Sequence, residues 1–250
     1  ITADNAERIL HTEQYVELPD HIRTEFLGDV AEAVTRKLTT GSLPPPPELA
    51  RLLSPAVRGG DLLLHSYDPD EQALFERLGA AGSLSAERGT EVVGLVTQNA
   101  GGNKIDTFLR RSMTYTSSPN RAKVTVTLTN EAPTTGLPDY VNGSFVGDPP
   151  GTNRLYLSIH ASRPLVGAQL GEGALGMESE REAGLNVYSA FVIVPPGETR
   201  RLDIDLGVLP AGVSRLRLHH QPTVISDEAE VRGRWSRGRS ALTEDVTIER

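Results

Sequence analysis

Hydrophobic and polar positions follow two different periods in the two parts of the chain. In residues 1–90, apolar side chains recur every three or four positions, which is the period of an amphipathic helix. From residue 91 onward the period is two, as in strands that bury one face. The clearest alternations cover residues 124–129, 155–160, 202–206 and 215–218. The pattern predicts helices first and strands afterwards.

The longest predicted helix follows Pro19 and ends at Gly41, because glycine commonly terminates helices. Its apolar stripe consists of Ile22, Phe26, Val30, Val34 and Leu38. Residues 5–15 predict a shorter helix, and Asp68 is a natural cap for another. The apolar residues 61–67 predict a buried strand just before that cap. We therefore expect residues 1–90 to form a mostly helical α/β segment, the C-terminal part of a larger domain.

Short alternating segments separated by turn residues predict the fold of residues 91–250. Clusters of proline, glycine and asparagine lie at 118–120, 148–151, 195–197 and 210–212. Many short strands with one apolar face are typical of an antiparallel sandwich. The predicted fold class is α+β, with an N-terminal helical α/β remnant followed by an antiparallel immunoglobulin-like β-sandwich.

Composition narrows the classes of function. The 250 residues include no cysteine and carry a formal net charge of −8. Without cysteine there is no disulfide framework, no thiolate catalysis and no zinc site with cysteine ligands. The negative charge argues against nucleic-acid binding. No apolar run is long enough to cross a membrane. Because the sequence starts at Ile1 without a methionine, we expect a fragment or a processed chain.

A glycine-paired turn after the first predicted strand is one candidate binding site. Gly101 and Gly102 permit positive φ without steric cost. Asn99 and Asn103 are the other residues best suited to that conformation. Successive backbone N–H groups could form an anion-binding nest, with Lys104 as the counter-charge. The alternative is a structural turn between two strands, since no helix of the P-loop type follows.

Four arginines around one tryptophan form the second candidate site. The cluster consists of Arg232, Arg234, Trp235, Arg237 and Arg239. Guanidinium groups bind phosphate, acidic sugars or lipid headgroups, and an indole can stack on a sugar or base. Acidic residues at 227, 228 and 230 reduce the positive charge. A surface hairpin without a ligand is therefore the alternative.

Other chemical signatures lack the context that their chemistry needs. The match to G-x-G-x-x-G at 171–176 lies in a strand-rich stretch, and position 196, where an acidic residue is expected, is a proline. Asp203 and Asp205 project to the same side of one strand, whereas paired glycosidase carboxylates face each other across the sugar. The adjacent His219 and His220 point to opposite faces. We predict no catalytic residue, metal site or cofactor in this chain.

Several motifs together resemble domain-of-unknown-function family 4012. They are I-T-A-D-N-A-E-R-I-L at 1–10, Q-N-A-G-G-N-K at 98–104, R-R-S-M-T-Y at 110–115, V-T-V-T-L-T-N-E-A-P at 124–133, G-L-P-D-Y at 136–140 and G-T-N-R-L-Y-L-S at 151–158. The resemblance covers essentially the whole chain. Its members are actinobacterial cell-envelope proteins with an N-terminal transmembrane anchor and an extracytoplasmic body, often encoded among polysaccharide-export or glycosyltransferase genes. The resemblance implies an extracytoplasmic location, at the cell surface or secreted, with membrane contact only through a missing N-terminal anchor.

Residues 1–40 also resemble the helix pair that closes the domain of LytR–CpsA–Psr phosphotransferases, which attach glycopolymers to the cell wall. The matching motifs are I-T-A-D-N-A and P-D-H-I-R-T-E-F-L-G-D-V. In those enzymes, arginines after the first helix hold the lipid pyrophosphate. Here residues 10–15 contain no arginine, and Arg23 is the one match to a phosphate contact.

Three hypotheses of function follow. The first is a non-catalytic, extracytoplasmic cell-envelope protein in surface glycopolymer or protein assembly, with envelope polysaccharide or other envelope proteins as partners. The second is a divergent glycopolymer phosphotransferase whose active site lies mostly upstream of this fragment. The third is a structural surface subunit that forms homo-oligomers through strand edges. The missing arginines favour the first.

Overall fold

The computed structural model describes residues 1–82 and 84–249 and shows an α+β protein in which helices precede two large β-sheets. The helices are α1 (Ala3–Arg8), α2 (Gln14–Glu17), α3 (Asp20–Thr40), α4 (Pro46–Arg58), α5 (Pro69–Arg77) and α6 (Asp139–Asn142). A π-helical turn (Ile9–Glu13) joins α1 to α2, and a 3₁₀ turn covers Ile105–Phe108.

The strands follow from Thr90 onward. They are β1 (Thr90–Asn99), β2 (Leu109–Ser117), β3 (Ala122–Asn130), β4 (Asn153–Ala161), β5 (Leu165–Leu170), β6 (Gly173–Ala174), β7 (Glu178–Glu182), β8 (Leu185–Val194), β9 (Thr199–Leu206), β10 (Arg215–His219), β11 (Asp227–Gly233), β12 (Arg237–Leu242) and β13 (Val246–Glu249). The first sheet has the strand order β13-β10-β1-β4-β8-β7, and the second has the order β12-β11-β2-β3-β9-β5-β6.

The direction of the strands corrects one prediction. Most neighbouring strands are antiparallel, but β10 runs parallel to β1, and β11 runs parallel to β2. The prediction of a purely antiparallel sandwich is therefore wrong at these two pairs. Side-chain alternation shows which face of a strand is buried, but it carries no information about strand direction. β1 and its partner β10 are separated in sequence by more than half of the strand-rich part of the chain, and so are β2 and β11.

The two sheets share one hydrophobic core, and this confirms the predicted alternation. Side chains from β3, β4, β9 and β10 with little or no exposure meet in it. They are Val124, Val126, Leu128, Leu155, Leu157, Ile159, Leu202, Ile204, Leu206, Leu216 and Leu218. Full burial of one such aliphatic side chain contributes about 1.5–3 kcal/mol. The two sheets packed around this core, formed by residues 90–249 and called the sandwich below, are therefore the stable part of the protein.

Helix α3 has the predicted bounds, but its apolar stripe is not packed into a core. Val34 and Leu38 remain exposed, and Ile22 near the start of the helix is also exposed. Helix α5 has the predicted cap, because Asp68 Oδ1 accepts hydrogen bonds from the backbone N–H groups of Asp70 and Glu71 at 2.9 and 3.1 Å. The helical segment therefore forms its elements locally, with little burial.

Residues 61–67 are not a strand, and this prediction is wrong. They form irregular, largely exposed chain, in which the N–H of Leu64 donates to the carbonyl oxygen of Ala80 at 2.8 Å. A strand needs a neighbouring strand for its backbone groups. The described residues before Thr90 contain no strand to supply one. The apolar residues at 62–64 therefore mimic a strand in sequence alone.

The outermost strand of the first sheet, β7, is charged and fully exposed. Its sequence is E-S-E-R-E, and it pairs with β8 through the register Glu178 to Ser189 and Glu182 to Leu185. Charged residues are common on free sheet edges, where they oppose pairing with another chain.

Candidate functional site

Trp235, the centre of the predicted basic site, belongs to the core between the sheets. Its side chain is 2% exposed, and Nε1 donates a hydrogen bond to Glu91 Oε2 at 2.8 Å. Protein atoms cover the ring, so the stacking on a sugar or base that the sequence suggested is not available in this structure.

The four arginines around Trp235 are bonded to other protein groups. Arg232 donates to both carboxylate oxygens of Glu230 at 2.8 and 2.9 Å, and this hydrogen bonding lowers the pKa of Glu230. Arg239 lies 3.9 Å from the same carboxylate. Arg234 and Arg237 donate to backbone carbonyl oxygens at 3.0 and 3.2 Å. The geometry favours a structural hairpin at this position.

Glu91 holds a buried polar network that sequence reasoning missed. Its Oε1 accepts from the hydroxyl of Tyr115 and from Nε of Arg163, while its Oε2 accepts from Trp235. Arg163 also donates to the carbonyl oxygen of Gly207 at 2.9 Å. Burial raises the pKa of Tyr115 well above its ordinary value, and the negative charge of Glu91 adds to this rise. The network ties both sheets together. The available signal in the sequence is a glutamate directly before the apolar run at residues 92–96.

The glycine-paired turn is closed by its own side chains. Asn99 Oδ1 accepts from the N–H groups of Gly101 and Gly102, each at 2.9 Å. Asn103 Nδ2 donates to the carbonyl oxygen of Gly143 at 2.9 Å, which fixes the turn to the loop before β4. The two glycine N–H groups that the nest hypothesis assigned to an anion are thus already bonded to an amide oxygen. The geometry favours the structural alternative.

Arg23 and Lys104 lie beside a pair of tyrosines. The rings of Tyr15 and Tyr140 stack with centroids 6.0 Å apart. The guanidinium of Arg23 lies 4.0 Å from the Tyr140 centroid, and Lys104 Nζ lies 5.6 Å from that of Tyr15. Arg23 is 7% exposed. These cation–π contacts dock the helical segment on the sandwich, and they place the predicted phosphate contact in a packed position.

A cleft of about 670 Å³ lies above a second buried ion pair. Arg111 donates from Nε and Nη2 to the two carboxylate oxygens of Asp227 at 2.6 and 2.7 Å. Its other N–H groups are bonded to Thr97, Gln221 and Thr223. Burial raises the pKa of Asp227, although the charge of Arg111 opposes this. Since all donors of Arg111 are used by the protein, this arginine is a structural residue rather than an anion-binding one.

A smaller cleft of about 430 Å³ lies between the helical segment and β10. His219 Nδ1 lies 3.0 Å from Asp245 Oδ1, which also accepts the backbone N–H of His220 at 2.8 Å. Burial raises the pKa of Asp245, but the hydrogen bond and charge of His219 outweigh burial, and the pKa lies below its ordinary value. Arg217 pairs with Glu87 at the same place. Of these contacts, the Arg217–Glu87 pair joins residues 1–90 to the first sheet.

We expect acid to weaken the fold through two buried histidines. Burial lowers the pKa of His160 and of His220. The unfolded chain, with a histidine pKa of about 6.5, therefore takes up protons first as the pH falls. The contribution of the two histidines to the free energy of unfolding is fully present above about pH 6.5 and declines below it. Carboxylates with lowered pKa values reduce the free energy of unfolding only below about pH 4. Urea unfolding at a series of pH values measures this slope.

Histidine variants show which residues cause this dependence of stability on pH. His160→Gln combined with His220→Gln is expected to flatten the dependence between about pH 6.5 and 5. His65→Gln, at an exposed position, is the matched control variant. An equal slope in the double variant and the parent would contradict the assignment.

The outer face of the first sheet carries exposed aromatic surface. Phe191 on β8 lies directly opposite Tyr156 on β4, with ring centroids 5.0 Å apart. Phe191 is 57% exposed, because its neighbour Val192 takes the core side and alternation turns Phe191 outward. The Tyr156 hydroxyl donates to Glu178 Oε2 at 2.6 Å, which raises the pKa of Tyr156. An apolar ring, a hydroxyl and a carboxylate thus share one flat, accessible surface.

Comparison with known proteins does not assign this chain to a family. No protein-family model and no curated protein matches it. A solved structure described as nutrient-binding, from Legionella pneumophila subsp. pneumophila str. Philadelphia 1, is 9% identical with a TM-score of 0.32, over 56% of this chain and 54% of that one. An M1 zinc metallopeptidase from Deinococcus radiodurans is 13% identical with a TM-score of 0.22, over 60% and 32%. This chain thus spans about half and about a third of those two proteins.

Likeness at these levels carries no argument about fold or function. Among residues 1–82 and 84–249, no group of three or more histidine and acidic side chains could hold a metal ion. Within the same residues, no helix is long and apolar enough to cross a membrane.

Proposed function

We propose that this chain is a non-catalytic, extracytoplasmic module of a cell-envelope protein that takes part in surface glycopolymer assembly by binding a neutral glycan. The proposed location is the cell surface or the secreted fraction, and the proposed partners are envelope polysaccharide and other envelope proteins. The proposed architecture of the β-rich part is an immunoglobulin-like sandwich. Two sheets around one core support this last point.

The single observation that carries the proposal is the exposed Phe191 beside Tyr156. Large apolar groups on a protein surface commonly mark binding sites. The C–H face of a sugar ring can pack on an aromatic ring, while its hydroxyl groups donate to a carboxylate such as Glu178. Strands β4, β8 and β7 are neighbours in one sheet and hold these groups in place, so binding requires little rearrangement of the protein.

The charge of this face determines the class of glycan. Glu178, Glu180 and Glu182 alternate along β7 on the side of the sheet that carries Phe191. Carboxylates beside the aromatic pair repel uronic acids and phosphorylated sugars, since like charges at short range disfavour binding. They accept hydrogen bonds from neutral sugars. A neutral glycan is therefore the expected ligand.

Calorimetric titration with neutral glucan, galactan and mannan oligosaccharides, and with uronic-acid oligosaccharides for comparison, tests the proposal. Phe191→Ala is expected to reduce the affinity for the best neutral ligand about tenfold, or about 1.4 kcal/mol. Tyr67→Ala is the matched control, because Tyr67 is an exposed aromatic residue outside the sandwich. The Tyr67→Ala variant is expected to bind the best neutral ligand with the affinity of the parent protein.

Two results would count against the proposal. One is unchanged binding by the Phe191 variant, which would place the ligand elsewhere. The other is tighter binding of uronic-acid oligosaccharides than of neutral ones. Mass spectrometry of the bound oligosaccharide after long incubation tests the non-catalytic part, for which we expect no cleavage and no transfer product.

A further inference from the structure

A second exposed apolar feature lies in the loop between α6 and β4. Phe145 is 87% exposed and the adjacent Val146 is 57% exposed. Glycines flank them at 143 and 147, in the sequence G-S-F-V-G. Two neighbouring apolar side chains at the tip of a loop are unfavourable in water unless they contact an apolar phase.

The loop is held in place by the glycine-paired turn. The N–H of Phe145 donates to the carbonyl oxygen of Gly101 at 3.1 Å. Gly143 accepts from the buried Asn103, as described above. Gly102 has φ of +72°, and a Cβ at this position would collide with Cδ2 of Phe145. The turn therefore supports the Phe145 ring from one side and leaves the rest of the ring in solvent. The glycine pair therefore supports this loop, which is a role separate from anion binding.

The surroundings of the tip favour a lipid surface over a protein pocket. An aromatic anchor in a protein interface lies within a broad contact patch that excludes water. Here the neighbours in sequence are the small residues Ser144 and Gly147, so the two side chains project without such a patch. Tyr140, an aromatic residue of the kind found at membrane interfaces, is partly exposed in the preceding helix α6.

We propose that the loop at residues 143–147 is a membrane-contacting tip, which inserts Phe145 and Val146 into the interfacial region of a neutral lipid bilayer. The net charge of −8 disfavours attraction to anionic lipid. Burial of two side chains gives only weak affinity. The proposed contact therefore requires a high effective concentration of lipid, such as tethering of the chain to a membrane provides. It orients the sandwich relative to the bilayer.

Fluorescence with quenching lipids tests this proposal independently of glycan binding. The chain is attached through an added N-terminal histidine tag to phosphatidylcholine vesicles that contain a nickel-chelating lipid. Phe145→Trp is expected to show quenching of at least about twofold when the acyl chains are brominated. The native Trp235 is buried and provides a constant background. Tyr67→Trp, at a residue with 98% exposure in the helical segment, is the matched control and is expected to show no added quenching.

The remaining outcomes are also decisive. Combining Gly102→Ala with Phe145→Trp displaces the ring without removing it and is expected to lower the quenching. Absence of quenching in the tethered Phe145→Trp protein would overturn the proposal, as would equal quenching at residue 67. Quenching that appears only with anionic vesicles would contradict the choice of a neutral bilayer. Equal quenching with Gly102→Ala would remove the supporting role of the turn.

Discussion

Replacing Glu91 with alanine is expected to destabilise the protein by about 3–5 kcal/mol, because removal of one partner leaves the other charge of a buried pair uncompensated. Arg163 is fully buried beside Glu91, and Tyr115 and Trp235 would also lose their acceptor. Most single domains have a total stability of about 5–15 kcal/mol. The variant is therefore expected to be marginal or unfolded at room temperature.

Urea unfolding followed by the fluorescence of the single Trp235 measures the effect of Glu91→Ala. Glu180→Ala is the matched control, since this glutamate is exposed on the edge strand β7, and its removal is expected to change stability by less than about 0.5 kcal/mol. A loss below about 1 kcal/mol for Glu91→Ala would show that the network contributes little net stability. Replacement of both Glu91 and Arg163 by apolar residues is expected to recover part of the loss.

Gly233→Ala is expected to have the second largest effect, a loss of about 3 kcal/mol in the free energy of unfolding. Gly233 has φ of +92°, which costs a residue with a Cβ about 1–2 kcal/mol. In addition, the new Cβ would collide with the backbone carbonyl oxygen of Ser117, its partner in the adjacent strand. That oxygen is fixed by a hydrogen bond from the N–H of Arg234 at 2.7 Å. Forced overpacking of this kind adds about 1–3 kcal/mol.

Gly212→Ala separates the two contributions to this loss. Gly212 has φ of +76° but nothing within 4 Å of an added Cβ, so it reports the cost of the backbone conformation alone. We expect Gly233→Ala to lose at least about 1 kcal/mol more than Gly212→Ala. If the two variants unfold at the same urea concentration, the collision is relieved by a shift of β2, and the rigidity assigned to this junction is wrong.

The alternation of side chains allowed much of the sandwich core to be predicted from the sequence. Strands β3 and β9 show it clearly, because each has one face on the core and one in solvent. Strand β8 does not, because its sequence L-N-V-Y-S-A-F-V-I-V is apolar on both faces. The exposure of Phe191, on which the proposed glycan site depends, was therefore not visible in the pattern.

Contacts between distant residues were beyond the sequence pattern. The partners of Glu91 lie at 115, 163 and 235, and no local spacing links them. For the same reason the sequence groups Trp235 with its neighbouring arginines, although its hydrogen-bond partner is Glu91. The predicted strand at 61–67 failed because hydrophobicity shows a tendency to be buried, but it does not show whether a neighbouring strand exists.

The charged edge strand β7 has a consequence for protein crowded on a surface. Two molecules that approached through this edge would bring rows of carboxylates face to face. Such repulsion prevents one sheet from continuing into the next molecule, so neighbouring copies stay separate instead of growing into fibres. A high local density on a surface is then compatible with a protein that stays dispersed at this edge.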